Sequence, residues 1–237
     1  RGQNKKVDNK RDIKRIPLSI PSEWEIIWNS FFEVSIEEAE QKEGSFNSYF
    51  TEDLLLIKSL DKDISIDLGW LPDMDLAGQY KLCIYKKEEE EPFLIFNSRS
   101  YTEIMEKIND LLVTYKDGKK EYSKERQSPL RIPTGWKILL NNWTKDLLKV
   151  NETHTSKQES MAQPIFHAVK KFYGQIHITV QYAFEPIPTF RITIYREEDP
   201  CYYKCVDIIE EVEAIEILEQ WMERVHLSIS NTDLLSP

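Results

Sequence analysis

Apolar and polar residues alternate along several short segments of this chain, and these segments form two similar series. "ISIDLGW", Ile64 to Trp70, and "IHITVQY", Ile176 to Tyr182, lie 112 positions apart and alternate with a period of two residues. "YKLCIYK", Tyr80 to Lys86, and "FRITIYR", Phe190 to Arg196, follow them at a spacing of 110. A period of two is typical of a half-buried strand, so the pattern predicts two series of strands.

Each series also has an apolar segment before it and another after it. "DLLLIKSL" ends at Leu60, "PIFHAVKKF" ends at Phe172, and short turns connect each of them to the next strand. "FLIF" and "CYYKCV" follow the turns at Lys87 to Pro92 and at Glu197 to Pro200. Short turns between alternating runs favour antiparallel hairpins.

Both series end in a segment with helical character, Ser100 to Tyr115 and Ile208 to Val225. Ser100 is suited to be an N-cap, and Glu103, three residues later, would complete a capping box. The sequence therefore predicts that a helix closes each series.

The openings of the two series resemble each other as well. "IPSEWEIIWNSF", Ile20 to Phe31, and "IPTGWKILLNNW", Ile132 to Trp143, share five of twelve residues at a spacing of 112. Each opening also fits a helix face, but we favour a strand because Gly135 and the Asn pair after Leu140 are poor helix residues. Trp24 and Trp136 recur in both openings, which indicates a shared role in packing.

We therefore predict an α+β protein made of two tandem copies, each an antiparallel sheet of four to five strands with a C-terminal helix packed on one face. The predicted divisions are a basic arm at 1–15, a strongly acidic first repeat at 16–115, a linker at 116–129, a second repeat at 130–228 and a tail at 229–237.

The composition fits this architecture and limits the compartment. The chain has 237 residues, 41% of them hydrophobic, which is enough for substantial cores. It has no apolar run of about 18 residues, so no membrane contact is expected. Its three cysteines do not form a disulfide framework and are expected to be reduced thiols, which favours a cytoplasmic location.

Charge distinguishes the two predicted repeats. Residues 16–115 contain eight Lys or Arg and 21 Asp or Glu, a net charge of −13, whereas residues 130–228 contain 11 and 14, a net charge of −3. One interpretation is a solvated surface that keeps the protein soluble, but solubility alone does not explain why one copy is strongly acidic and the other is not. An acidic surface attracts basic proteins and repels nucleic acid. The predicted partner-binding residues are Asp67, Asp73, Asp75, Glu88, Glu89, Glu90 and Glu91.

Candidate catalytic and metal-binding patterns are weak. His167 and His177 are predicted to face outward from their hairpin, with His177 opposite Lys171 and His167 opposite Gln181, and no carboxylate is evident beside them. Two further segments fail as sites. The segment that begins "DKDISIDLG" lacks the glycine and the closing glutamate of a calcium loop. The segment from "PD" to "QYK" has Gln where a metal-dependent nuclease needs a second carboxylate. We therefore expect no catalytic, cofactor-binding or metal-binding residues.

The leading hypothesis is a non-catalytic binding protein, an inhibitor or immunity-type protein. It would engage a basic protein partner, such as a nuclease-type toxin, through the acidic surface of the first repeat. One alternative is an enzyme with its site in the cleft between the repeats. Another is a structural or regulatory interaction module. A monomer and a dimer are both compatible with the sequence.

Overall fold

The computed structural model describes residues 13–41, 46–86, 89–115, 127–144, 163–171, 174–183 and 187–227. The strands are β1 Trp24–Asn29, β2 Leu55–Ser59, β3 Ile64–Leu71, β4 Gln79–Lys86, β5 Leu94–Ser98, β6 Trp136–Asn141, β7 Gln163–Lys171, β8 Gln175–Ala183, β9 Thr189–Arg196 and β10 Asp199–Ile208. The helices are α1 Ile36–Gln41, α2 Phe46–Tyr49, α3 Tyr101–Thr114 and α4 Glu211–Leu227.

All ten strands belong to one antiparallel sheet in the order β10-β9-β8-β7-β6-β1-β2-β3-β4-β5. The prediction of two separate sheets is therefore wrong, while the α+β class and the C-terminal helix are confirmed. The two five-strand series join because β1 and β6 pair with each other, with Trp24 opposite Ile138 and Glu25 opposite Lys137. This pairing satisfies backbone groups that two isolated sheets would leave exposed at their edges.

We call residues 13–115 the N-terminal half and residues 127–227 the C-terminal half. Side chains 112 positions apart make matching hydrogen bonds across the junction between them. The Asn29 amide donates to the Ile132 carbonyl at 2.8 Å, and the Asn141 amide donates to the Ile20 carbonyl at 2.6 Å. Both asparagines are buried. The β1–β6 junction is thus fixed by the same contact in both directions.

The core lies on one face of the sheet, where the inward residues of successive strands form continuous apolar rows. One such row consists of Ile84, Ile66, Ile57 and Ile26 in the N-terminal half, and another consists of Ile138, Ala168, Ile178 and Ile194 in the C-terminal half. At the junction, Ile138 pairs with Trp24. Helix α3 contacts β4 and β5, α4 contacts β9 and β10, and the buried residues of both helices belong to the same hydrophobic cluster. We call the other face of the sheet the open face.

Each long helix also holds the segment that leads into its half's first strand. Asn109 of α3 accepts a hydrogen bond from the Ser19 backbone at 2.9 Å, and Glu219 of α4 accepts one from the Arg131 backbone at 2.7 Å. Burial raises the pKa of Glu219, although Arg131 opposes the shift. These two contacts place α3 and α4 equivalently on the core face.

The strands and long helices lie where the hydrophobic pattern predicts them. The predicted strand in both openings is confirmed, and Trp24 and Trp136 are buried as expected. Ser100 caps α3, since its hydroxyl accepts from the Glu103 backbone N–H at 3.4 Å. The Glu103 carboxylate binds the Ser98 hydroxyl, so the second bond of the predicted capping box is replaced.

The predicted arm, linker and tail lie largely outside the described residues. The described end of the arm is part of the fold, because Arg15 pairs with Glu223 of α4 and donates to the Asn29 carbonyl at 3.0 Å. At the end of the predicted linker, Gln127 and Ser128 are buried. Among the helices within the described ranges, none is long and apolar enough to cross a membrane.

Candidate protein-binding surface

The β3–β4 loop, Pro72 to Gly78, carries two of the predicted partner-binding carboxylates. Asp73 and Asp75 are both exposed there. Each carboxylate also accepts a backbone hydrogen bond, Asp73 from Glu52 at 2.9 Å and Asp75 from Ala77 at 2.8 Å. These bonds hold each carboxylate in a fixed position on the surface.

Close packing underneath holds this loop in shape. The buried Trp70 indole donates to the Asp75 carbonyl at 2.8 Å, and the Arg99 guanidinium donates to the Gly78 carbonyl at 2.5 Å and to the Leu76 carbonyl at 3.0 Å. A Cβ on Gly78 would lie 2.4 Å from the Trp70 Nε1 atom, so glycine is required at this contact. A loop fixed in this way loses little conformational entropy on binding.

The same loop exposes apolar side chains beside its carboxylates. The exposed fractions are 38% for Leu71, 47% for Met74 and 45% for Leu76. Met74 adopts a left-handed backbone conformation with φ of 54°, which suits glycine and costs other residues roughly 1 kcal/mol. Met74 therefore presents an exposed apolar side chain beside the carboxylates despite this cost.

Trp28 on β1 extends this surface across the segment before β2. Its side chain is 47% exposed, and its indole donates to the Asp53 carbonyl at 3.0 Å. The same segment holds the loop, since the Met74 backbone N–H donates to the Phe50 carbonyl at 3.0 Å. We define the loop surface as the exposed side chains of Trp28, Asp53, Leu71, Asp73, Met74, Asp75 and Leu76.

Asp67 lies on the open face of β3, between Leu56 of β2 and Cys83 of β4. Its half-burial raises its pKa, and the nearby Asp53 carboxylate raises it further. Leu56 is in turn the register partner of Trp28. The open face therefore connects Asp67 with the loop surface through Asp53 and Leu56.

The remaining predicted residues lie elsewhere. Glu89, Glu90 and Glu91 are exposed in the β4–β5 turn, at the opposite end of β4 from the β3–β4 loop, and Glu88 lies outside the described residues. A strand of eight residues spans about 26 Å. The carboxylates therefore do not form one patch, and the aromatic and apolar neighbours adjoin only the loop surface.

The two histidines lie on the open face of the C-terminal half, outward from the core as predicted. Their predicted strand partners are wrong, because His177 pairs with Val169 and His167 with Thr179, a register shift of two residues. The His167 Nε2 and His177 Nδ1 atoms are 3.1 Å apart, and burial, followed by the charge of His177, lowers the pKa of His167. A carboxylate does lie nearby, since Glu197 Oε2 is 3.6 Å from His177 Nε2.

An open hollow of about 830 Å³ lies beside these histidines. All its lining residues come from the C-terminal half, between Leu140 and Tyr203. The enzyme alternative predicts a cleft that is lined by ionisable side chains from both halves. This hollow is lined by residues of the C-terminal half alone. Within the described ranges, no group of three or more His, Cys, Asp or Glu side chains could hold a metal ion.

Sequence reasoning did not identify the exposed side chains of Trp28, Met74 and Leu76 as part of the site. The two aligned openings do show a difference at Trp28. It aligns with Leu140, whereas its buried neighbour Trp24 aligns with Trp136.

The comparisons with known proteins give no relative: no family model, no curated protein and no solved structure matches this chain.

Proposed function

We propose that the protein is a non-catalytic binding protein that engages a basic protein partner through the loop surface of its N-terminal half. The observation that carries this proposal is the combination of fixed carboxylates and exposed apolar anchors on one rigid loop. An inhibitor or immunity-type protein acting on a nuclease-type toxin fits this chemistry, because such a toxin needs a basic cleft for nucleic acid.

Protein interfaces commonly combine apolar anchor residues with surrounding charged residues, and the loop surface contains both. Aromatic and flexible apolar residues such as Trp28 and Met74 supply most of the binding energy once they are desolvated. Surrounding carboxylates such as Asp73 and Asp75 guide a basic partner and fix its orientation. Both kinds of side chain are available on the loop surface without any rearrangement.

A matched pair of charge variants tests the surface. The double variant Asp73→Asn and Asp75→Asn removes two charges and keeps the oxygens that accept the loop's backbone hydrogen bonds. The control, Glu89→Gln with Glu90→Gln, removes two charges at the other end of the strand. Each immobilised protein would be offered an extract of the source organism at low salt, and retained basic proteins would be eluted with a salt gradient.

A basic protein retained by the wild type and the control, but lost from the loop variant, supports the proposal. The purified pair should then bind at least about tenfold more weakly in the loop variant, and its affinity should fall with added salt. Retention of the same protein by all three forms would refute the loop surface as the binding site. Absence of any retained basic protein would refute the basic partner.

Met74→Gly separates the apolar contribution from charge. Glycine fits the left-handed backbone at this position, so stability should rise by roughly 1 kcal/mol or stay unchanged. The exposed thioether is lost, so binding to the recovered partner should weaken. Undiminished binding by this variant would remove Met74 from the proposed interface.

We further propose that the two halves are copies of one repeated unit. The paired asparagine contacts and the paired helix contacts support this, as both occur between residues that correspond at a spacing of 110 to 112. We also keep the cytoplasm as the proposed compartment, which the free thiols of Cys83 and Cys205 support.

A further inference from the structure

The hollow on the open face of the C-terminal half is independent of the loop surface and has a different character. Strands β6 to β10 form it, and its floor contains the side chains of Thr179 and Thr193, which are register partners. Gln181 and Arg191 line one side and are register partners as well. Every one of these four side chains can donate a hydrogen bond, and three of them can also accept one.

Each of the two arginines that line the hollow has an aspartate on the neighbouring strand β10. The Arg191 guanidinium donates to both oxygens of Asp207, at 2.7 and 2.9 Å, and these bonds lower the pKa of the Asp207 carboxyl. The other lining arginine, Arg196, is the register partner of Asp199, which also lines the hollow. Burial lowers the pKa of His167, which disfavours the charged form of that imidazole. A singly charged ligand would find no surplus of opposite charge here.

Aromatic rings form another wall. His167 and Tyr195 line the hollow. His177, which is not itself a lining residue, lies between them with ring centroids 5.3 Å and 4.8 Å away, and its ring is nearly parallel to that of Tyr195 at 5°. Tyr203 is the register partner of Tyr195 on the edge strand and is 58% exposed. The row combines apolar ring surface with phenol hydroxyls that both donate and accept.

We infer that this hollow binds a neutral polyhydroxylated ligand, a saccharide. The carbon-bound hydrogens of a sugar ring pack well against aromatic rings, and its hydroxyls need partners that both donate and accept. The tyrosines, threonines and Gln181 provide such partners, while the aspartates beside the two arginines give no advantage to a phosphate or a carboxylate. The hollow has a volume of about 830 Å³ and is open to solvent.

The test is a titration of the full chain with a defined panel, followed by calorimetry and by saturation-transfer NMR. The neutral probes are maltotriose, cellotriose and chitotriose, and the anionic probes are inorganic phosphate and citrate. The variants are Tyr203→Ala and Gln181→Ala. The control is Phe93→Ala, which removes an exposed aromatic ring beside β5, the opposite edge strand.

We expect at least one neutral probe to saturate and the anions not to bind. Tyr203→Ala and Gln181→Ala should each weaken that binding about tenfold, equivalent to ~1.4 kcal/mol, and Phe93→Ala should leave it unchanged. Circular dichroism of each variant shows whether its fold is retained. The inference is overturned if no saccharide saturates, if an anion binds more tightly, or if folded hollow variants bind as the wild type does. These outcomes do not depend on the loop surface.

Discussion

The two halves share an inward face and differ on the outward one. At corresponding places in the register, Asp67 of β3 lies between Leu56 and Cys83, whereas Thr179 of β8 lies between His167 and Thr193. Both halves have inward rows of isoleucines, with Ile66 opposite Ile84 in one and Ile178 opposite Ile194 in the other. Packing against the helices constrains the inward positions, and the open face is free to differ. Functional differences between the halves should therefore be sought on the open face and at the strand ends.

The largest expected effect comes from breaking the shared core. Trp136 is fully buried, and Trp24 holds the corresponding position in β1 at 2% exposure. Trp136→Ala and Trp24→Ala should each lower the free energy of unfolding by about 3–5 kcal/mol, because a large cavity is left. Trp28→Ala, which removes an exposed ring, should cost far less. Urea denaturation checks this, and an unchanged midpoint for Trp136→Ala would contradict its packing role.

The next effect tests whether the junction is equivalent in both directions. Asn29→Ala leaves the buried Ile132 carbonyl without its amide donor, and Asn141→Ala does the same to the Ile20 carbonyl. Each should cost about 1–3 kcal/mol, the penalty for an unsatisfied buried group. The two losses should agree closely in equilibrium unfolding. A large loss in one variant and none in the other would show that only one direction of the contact matters.

Much of this fold could be predicted because inward side chains repeat with the period of a strand. The sheet's continuity could not, since the β1–β6 pairing depends on backbone groups that look the same in any strand. The register of β7 and β8 also escaped prediction, because alternation is unchanged when a hairpin shifts by two residues and only the length of its turn decides.

The candidate site was partly predictable for a related reason. Charge is visible in the sequence, so Asp73 and Asp75 could be predicted as candidates. Their separation from Glu89 and Glu90 follows from the direction of β4, which carries the chain from one end of the sheet to the other. Met74 also has a left-handed backbone, which side-chain patterns do not report.

A smaller effect concerns the turn that precedes each first strand. Glu23 and Gly135 correspond in sequence, and both have positive φ, 66° and 85°. Glu23→Gly should stabilise the protein by roughly 1 kcal/mol, because glycine adopts this conformation without strain. Gly135→Ala should destabilise it, since the new Cβ would lie 3.3 Å from the Lys170 Cε atom. Thermal unfolding of both variants measures the contrast, and shifts of the same sign would contradict it.

The last effect is a pH dependence that arises from Lys170 in the C-terminal half. Lys170 is buried on the core side of β7, where its Nζ atom donates to the Thr134 carbonyl at 2.6 Å and lies 3.3 Å from His226 Nδ1. Burial lowers the pKa of Lys170 from 10.5 to about 8, a shift that Glu223 opposes and Arg15 reinforces. Lowering the pKa means that the unfolded chain binds this proton more tightly than the folded protein does.

Between pH 8 and pH 10.5 the unfolded state therefore carries more protons at this site, and the contribution of Lys170 to stability rises with pH. Below pH 8 both states are protonated, and the cost of burying the charge is present in full. The free energy of unfolding of the wild type should thus rise relative to Lys170→Met across this window. Comparison with the Lys170→Met variant removes the contribution of the other titrating groups. Ser59→Ala serves as the control, because Ser59 of β2 pairs with Trp24 as Lys170 of β7 pairs with Trp136. A difference between wild type and Lys170→Met that stays constant from pH 8 to pH 10.5 would show that the lysine has an ordinary pKa in the folded protein.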